Sequence, residues 1–236
     1  MSPFVEENLH SLLTIHDQGQ YFSKITHMAQ ELGFEYCAYG ARMPFPLSAP
    51  RTEMVNNYPV AWQHCYQSKH YITQDPTVAI GLRSTIPFVW SEALFSGSRE
   101  LWEDARSHGL RNGWAQACRD VSGVVGMMTL ARSSDEISDA ELNEHEPLLM
   151  YLAQVAHVGM SRFLLEHSSY GHEVKLTPRE TEILRWTAEG KTSAEIGEIL
   201  NIAERTVNFH VNSTLTKLNA ANKTSAVVQA ALRGLL

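Results

Sequence analysis

The chain has 236 residues and a mass of 26.5 kDa, with 19 basic against 26 acidic side chains and a formal charge of −7. At 44% hydrophobic and 19% charged residues, it has the composition of one or two globular domains and not of a disordered or fibrous chain. The acidic total argues against nucleic-acid binding over the whole surface but leaves room for one basic face.

Residues 3–18 and 20–32 have the spacing of amphipathic helices, the second stopped by Gly33. Phe34 to Arg42 (FEYCAYGAR) is aromatic-rich and short in period, which predicts a strand, and PFPLSAP after it reads as a loop. A strand is predicted over Thr52 to Asn57, a helix over 60–69, a strand over 86–90, and a helix over Ser98 to His108 closed by Gly109. Asn112 to Arg119 and Val124 to Arg132 flank DVSG as the arms of a hairpin. Ser138 and Glu141 form a capping-box start. From there Leu142, Leu149, Leu152, Ala156, Met160 and Phe163 recur at helical spacing, a stripe able to pack on a sheet or on another subunit.

The first residues, MSPFVEENLHSLL, carry acids where a secretory signal carries positive charge. The most apolar segment, Pro147 to Leu165, is interrupted by Gln154, His157, Ser161 and Arg162, so no spanning helix is expected. Cys37, Cys65 and Cys118 are odd in number and lack CxxC spacing, which fits reduced thiols better than a disulfide framework. The expectation is a cytoplasmic protein with no membrane partner.

Residues 166–175 (EHSSYGHEVK) are polar and read as a linker. Beyond them only helices are predicted. Thr177-Pro178-Arg179-Glu180 orders an N-cap, a first-turn proline and a reciprocating glutamate, opening a helix to Glu189 that stops at Gly190. Thr192 to Glu195 is a second capping box, for a helix to about Leu200. Glu204 to Leu218 is the third helix, and Asn222 caps a last one ending near Gly234. Two short helices, a tight turn and a longer third helix make a helix-turn-helix.

Residues 176–236 hold seven basic and six acidic side chains, a net +1, so the first 175 residues net −8. From Arg205 to Leu236 there are four basic residues and no acid, as proximity to phosphates requires. On the third helix, Val207, Val211, Leu215 and Leu218 share one side, and Arg205, Asn208, Asn212 and Thr216 the other. Asn pairs with adenine N6/N7 and Arg with guanine O6/N7, so this stripe suits the major groove. A plain solvated face is the alternative, though it more often carries Glu and Lys. Lys191, Thr192 and Lys217 are candidates for phosphate contact, and Phe209 falls toward the exposed side.

LTPRETEILRWTAEGKTSAEIGEIL...ERTVNFHVNSTLTKLNAANKTSA resembles the helix-turn-helix domain of LuxR-type regulators, with matches that include Arg179, Glu180, Gly190, Lys191, Thr206, Val207, His210, Lys217 and Leu218. Thr206 joins the candidate DNA-binding residues on that ground. Ala203 departs from the family's usual N-cap, forgoing a cap worth roughly 1 kcal/mol. NYPVAWQHCYQSKHYITQDPTV resembles the ligand-binding core of acyl-homoserine lactone receptors, a likeness running through Trp90, Gly109, Gly113 and GMMTLARS.

The resemblance implies an α+β chain. Residues 1–165 would form an α-β-α sandwich around a five-stranded antiparallel sheet that binds the lactone, 166–175 a linker, and 176–236 an all-α four-helix DNA-binding domain. It also implies roles. Trp62 would donate to the lactone carbonyl, Asp75 accept from the amide N–H, and Tyr58 and Thr129 donate to the amide carbonyl, each with chemistry suited to the task. Trp90 would lie against the ring, with Tyr66, Phe95, Leu101, Trp102, Ala105, Ala38 and Met127 around ring and chain. Thr129 keeps the hydroxyl of the Ser in some relatives and adds a methyl group. Taken alone, Tyr58, Trp62 and Tyr66 at i, i+4 and i+8 are more often a core face than a site, and Asp75-Pro76 an ordinary turn or helix start.

The partners implied are the lactone, double-stranded DNA with an inverted repeat, and a second copy of the chain; no cofactor or metal is expected. Two rivals fare worse. Neither GxGxxG, Walker A, HExxH nor GxSxG occurs, and His64, Cys65 and His70 are poorly spaced for one metal ion. A phosphorylated receiver needs repeated βα units and an early acidic pair, whereas Glu6-Glu7 here falls within a predicted helix.

Overall fold

In the computed structural model, which describes residues 12, 14–166 and 174–236, Asp17 opens helix α1 (Gln18–Glu31). Its carboxylate accepts from the Gln20 amide at 2.8 Å, which starts the helix two residues before the predicted 20. The helix predicted over 3–18 falls mostly outside the described residues, as does most of the predicted linker. Gly33 and Gly109, the predicted stops, have φ of 85° and 89°, where a side chain would be strained.

Strands β1 (Tyr36–Arg42), β2 (Thr52–Asn56), β3 (Phe88–Val89), β4 (Asn112–Arg119) and β5 (Val125–Arg132) form one antiparallel sheet in the order β2-β1-β5-β4-β3. β3 is shorter than the predicted 86–90, with two residues paired on β4. Between the strands lie α2 (Val60–Ser68), a 3-10 turn at Tyr71–Thr73, α3 (Pro76–Gly81) and α4 (Arg99–Ser107). The 3-10 turn is new relative to the sequence reading; Asp75-Pro76 is the helix start that reading allowed, with Asp75 capping α3 by accepting from the Thr77 amide. The chain divides into two compact units, one holding the sheet and the other the last four helices.

One sheet face packs on α1 and on α5 (Asp139–Glu166). By length and composition α5 could cross a bilayer, but Leu149, Leu152, Ala153, Ala156, Met160 and Phe163 are all buried in the protein. Of the polar residues that interrupt its apolar run, Gln154 is exposed, and His157, Ser161 and Arg162 make hydrogen bonds inside the fold. His157, fully buried, shares a 2.8 Å hydrogen bond with the Tyr39 hydroxyl, and Arg162 donates to the Ile15 carbonyl. This is a core helix.

The C-terminal unit follows the predicted caps closely. Thr177 and Thr192 make complete capping boxes with Glu180 and Glu195 at α6 (Pro178–Ala188) and α7 (Ser193–Leu200). α8 (Glu204–Leu218) starts at Ala203 without a side-chain cap, and Asn222 caps α9 (Lys223–Leu232). Val207 and Val211 pack on Ile183 and Ile196; Leu218 packs on Leu184, Ala226 and Ala230.

Candidate functional site

The sheet's other face carries a cavity of about 460 Å³, within the range of small-molecule sites. The register arranges its floor in layers, because side chains two residues apart along a strand share a face. Ala38 pairs with Asn56 and Thr129, Gly40 with Met54 and Met127, and Arg42 with Thr52 and Val125. Successive layers lie roughly 6.6 Å apart, so the floor is polar at one end and sulfur-rich and bare of Cβ in the middle. It carries a cation at the far end. Val78, Leu82 and Ile72 also line the cavity.

Eight of the twelve candidate ligand residues line this one cavity: Ala38, Tyr58, Trp62, Tyr66, Asp75, Trp90, Met127 and Thr129. Phe95 and Trp102 do not. They stack on each other, ring centroids 4.6 Å apart and 18° from parallel, and support Trp90 edge-on at 6.0 and 6.5 Å. Leu101 and Ala105 lie in the same buried cluster, away from the lining. The correction has a physical cause: Leu101, Trp102 and Ala105 on α4, with Phe95 ahead of it, pack into the cluster behind the cavity wall, which Trp62, Trp90, Tyr58, Tyr66 and Leu110 share with the lining. Lining residues that the sequence reading missed include Met54, Thr52 and Val125, which the pairing register alone reveals.

The polar end is tightly organised. Asp75 Oδ1 accepts from Thr77 N at 2.8 Å and Thr77 Oγ1 at 2.6 Å, while Oδ2 accepts from the Tyr66 hydroxyl at 3.0 Å. Burial pushes the Asp75 carboxyl above its ordinary range, against the opposing pull of the hydrogen bonds from Thr77, Tyr66 and the Val78 amide. Burial, then Cys37 and Asp75, raises the Tyr58 phenol; burial, then Asp75, raises Tyr66. Both phenols therefore remain neutral donors at ordinary pH. Trp62 is 4% exposed, stacked on Tyr71 and edge-on to Tyr66.

The second site is the outer side of α8. Arg205, Phe209, Asn212 and Thr216 are exposed there, Phe209 by 68%, while Thr206 and Asn208 are half-buried. The exposed stripe thus runs through Phe209 at i, i+4, i+7 and i+11, and Asn208 sits at its edge. Lys191 and Thr192 are exposed at the start of α7. Lys217 is also exposed, but its Nζ is 2.7 Å from Oε2 of the buried Glu180, so it arrives at any phosphate already paired. Among the described residues no group of three or more His, Cys, Asp or Glu could hold a metal ion.

Comparison with known proteins gives these two sites a context. Residues 17–159 match the autoinducer binding domain, and residues 174–230 match the domain of bacterial regulatory proteins of the luxR family. The transcriptional activator protein AnoR of Acinetobacter nosocomialis is 42% identical over 238 residues, covering 100% of both chains. The HTH-type quorum-sensing regulator RhlR of Pseudomonas aeruginosa is 40% identical, covering 94% of this chain and 92% of its own. SdiA of Escherichia coli, solved in complex with octanoyl-rac-glycerol, superimposes with a TM-score of 0.79 at 34% identity, covering 100% of this chain and 97% of that one. The family and these relatives are transcriptional regulators, not enzymes. An autoinducer-binding domain joined to a DNA-binding helix-turn-helix, with full-length relatives of the same build, makes this chain a member of the LuxR family of quorum-sensing transcriptional regulators.

Proposed function

We propose that the chain binds an N-acyl-homoserine lactone in the sheet cavity and, as a homodimer in the cytoplasm, reads an inverted repeat with α8. The domain limits in this reading are 1–165 for the signal, 166–175 for the linker and 176–236 for DNA.

The observation that carries the reading is the convergence of donors and one acceptor at a single end of an apolar cavity. Tyr58, Trp62 and Thr129 are donors, and Asp75 is an acceptor held by Thr77 and Tyr66. A lactone carbonyl, an amide N–H and an amide carbonyl need that complement, and an aliphatic chain suits the Gly40, Met54 and Met127 layer beyond it. A ligand so enclosed stabilises its domain by mass action, which links folding or dimerisation to the signal.

On α5, Met150 and Val158 are exposed by 40% and 60% one helical repeat either side of exposed Gln154, an apolar strip suited to a second copy. A twofold dimer requires half-sites about one helical turn apart. Arg205, Asn212 and Phe209 contact base edges in this arrangement, and Lys191 and Thr192 the phosphates.

Mass spectrometry of ligand extracted from protein expressed with a panel of acyl-homoserine lactones tests the reading. One or a few lactones recovered stoichiometrically, and lost in Asp75→Asn, is the expected result. Protein that recovers none of the panel while remaining folded overturns it.

A further inference from the structure

Asn208 lies at the edge of the exposed α8 stripe, yet its side-chain oxygen is already engaged. Ser193 Oγ, buried in the first turn of α7, is 2.8 Å from Asn208 Oδ1. Lys223 Nζ, from the first turn of α9, is 2.7 Å from the same Ser193 oxygen. The groups themselves fix the direction of both bonds. An ammonium has only donors, so Ser193 accepts from Lys223, and its single hydroxyl proton goes to Asn208 Oδ1. The carbonyl of Asn208 is thereby held toward the fold. Its two Nδ2 protons have no hydrogen-bond partner among the described residues.

We infer that Lys223, acting through Ser193, is a positioning residue that sets Asn208 as a donor to base edges rather than as a two-way partner. The inference rests on α8 lying in the major groove and adds to that reading a specific chemistry. A free asparagine amide pairs with adenine by giving to N7 and taking from N6. Here the oxygen is turned toward Ser193 with one lone pair taken, so Asn208 prefers the edge that presents acceptors alone, guanine O6 and N7. Lys223 belongs to the acid-free end of the chain, where a phosphate clamp is the ordinary expectation for a lysine. Its bond to a buried serine gives it a different task, which joins three helices in one relay.

The test uses the full chain expressed with a mixture of acyl-homoserine lactones. A selected duplex is taken from a random-sequence pool, and single-base variants of it are assayed by fluorescence anisotropy at several salt concentrations. Wild type is expected to prefer a G·C pair over an A·T pair about tenfold at one position in each half-site. Asn208→Ala, Ser193→Ala and Lys223→Met each bring that preference close to one, leaving other pairs and the salt slope unchanged, and Lys223→Arg restores it. Lys223→Met that weakens every duplex alike and lowers the salt slope by about one identifies a phosphate clamp and overturns the inference. So does an Asn208→Ala variant that keeps every preference, or a wild-type preference for an A·T pair at the affected position. Wild type that selects no sequence at all overturns the groove reading itself, and this inference with it.

Discussion

The indole of Trp90 lies so close over Gly113 that a Cβ built on that glycine would collide with ring atom Cδ2. Trp90 N also donates to the Gly113 carbonyl at 2.7 Å, so ring and backbone are fixed together where β3 meets β4. A methyl group at position 113 has one soft direction to push, and that is the ring, into the cavity it lines. Gly113→Ala is therefore expected to weaken lactone affinity at least tenfold while the protein still folds, with overpacking costing about 1–3 kcal/mol. Isothermal titration together with circular dichroism reads both. Unchanged affinity would show that the ring does not bound the bound signal.

Asp75 titrates in the direction that makes binding sensitive to acid. Its carboxyl is raised by burial, so as pH falls the group protonates earlier than an ordinary aspartate. The ionised form accepts at both oxygens and the protonated form gives up part of that capacity. Lactone affinity measured downward from pH 7.5 is expected to fall as Asp75 protonates, and Asp75→Asn should flatten the profile at a lower plateau. Tyr66→Phe removes one bond to the carboxylate and should lower affinity by about 1 kcal/mol without abolishing binding.

Chain length is expected to depend on the middle layer. A Cβ at Gly40 would meet nothing closer than the Glu53 carbonyl at 3.9 Å, so a larger side chain there enters the cavity rather than the fold. Gly40→Leu should shift preference toward shorter acyl chains, with affinity for the longest accepted chain falling tenfold or more while the shortest is little affected. A panel titration that shows a uniform loss would place the chain elsewhere.

The local chemistry of the helix-turn-helix was legible in the sequence, because capping boxes such as Thr177 with Glu180 are decided within four residues. The cavity was legible only through resemblance at Tyr58, Trp62, Asp75 and Thr129. Met54 and Thr52 come to it by strand pairing, which no local pattern encodes. Phe95 and Trp102 have the right composition for a ligand wall, but packing turns them onto each other. Phe209 is exposed as helical spacing suggests, but its neighbour Asn208 is half-buried, because Ser193 on another helix engages its side-chain oxygen.

In the C-terminal unit, acid should act through Glu180. Burial alone would raise this carboxyl, but hydrogen bonds from Lys217, the Thr177 amide and Ser213 together bring it down to about 2. A depressed folded pKa means that the stabilisation is complete above the unfolded value near 4.5 and is lost as pH falls through about 2. Glu180→Gln should cost about 2 kcal/mol at neutral pH and remove that part of the acid dependence, read by denaturant melts of the full chain with hydrogen exchange resolving the C-terminal helices. Lys217→Met strands the buried carboxylate and should cost at least as much, so its DNA binding must be compared at matched folded fraction.

The layered floor beneath the cavity separates two kinds of change. In the proposed reading, substitutions in the Gly40, Met54 and Met127 layer alter the room for a tail, and those in the Ala38, Asn56 and Thr129 layer alter the grip on a head. A lineage can thus retune which molecule its neighbours are heard by, one layer at a time, while the dialect of hydrogen bonds that marks the message as a message stays intact.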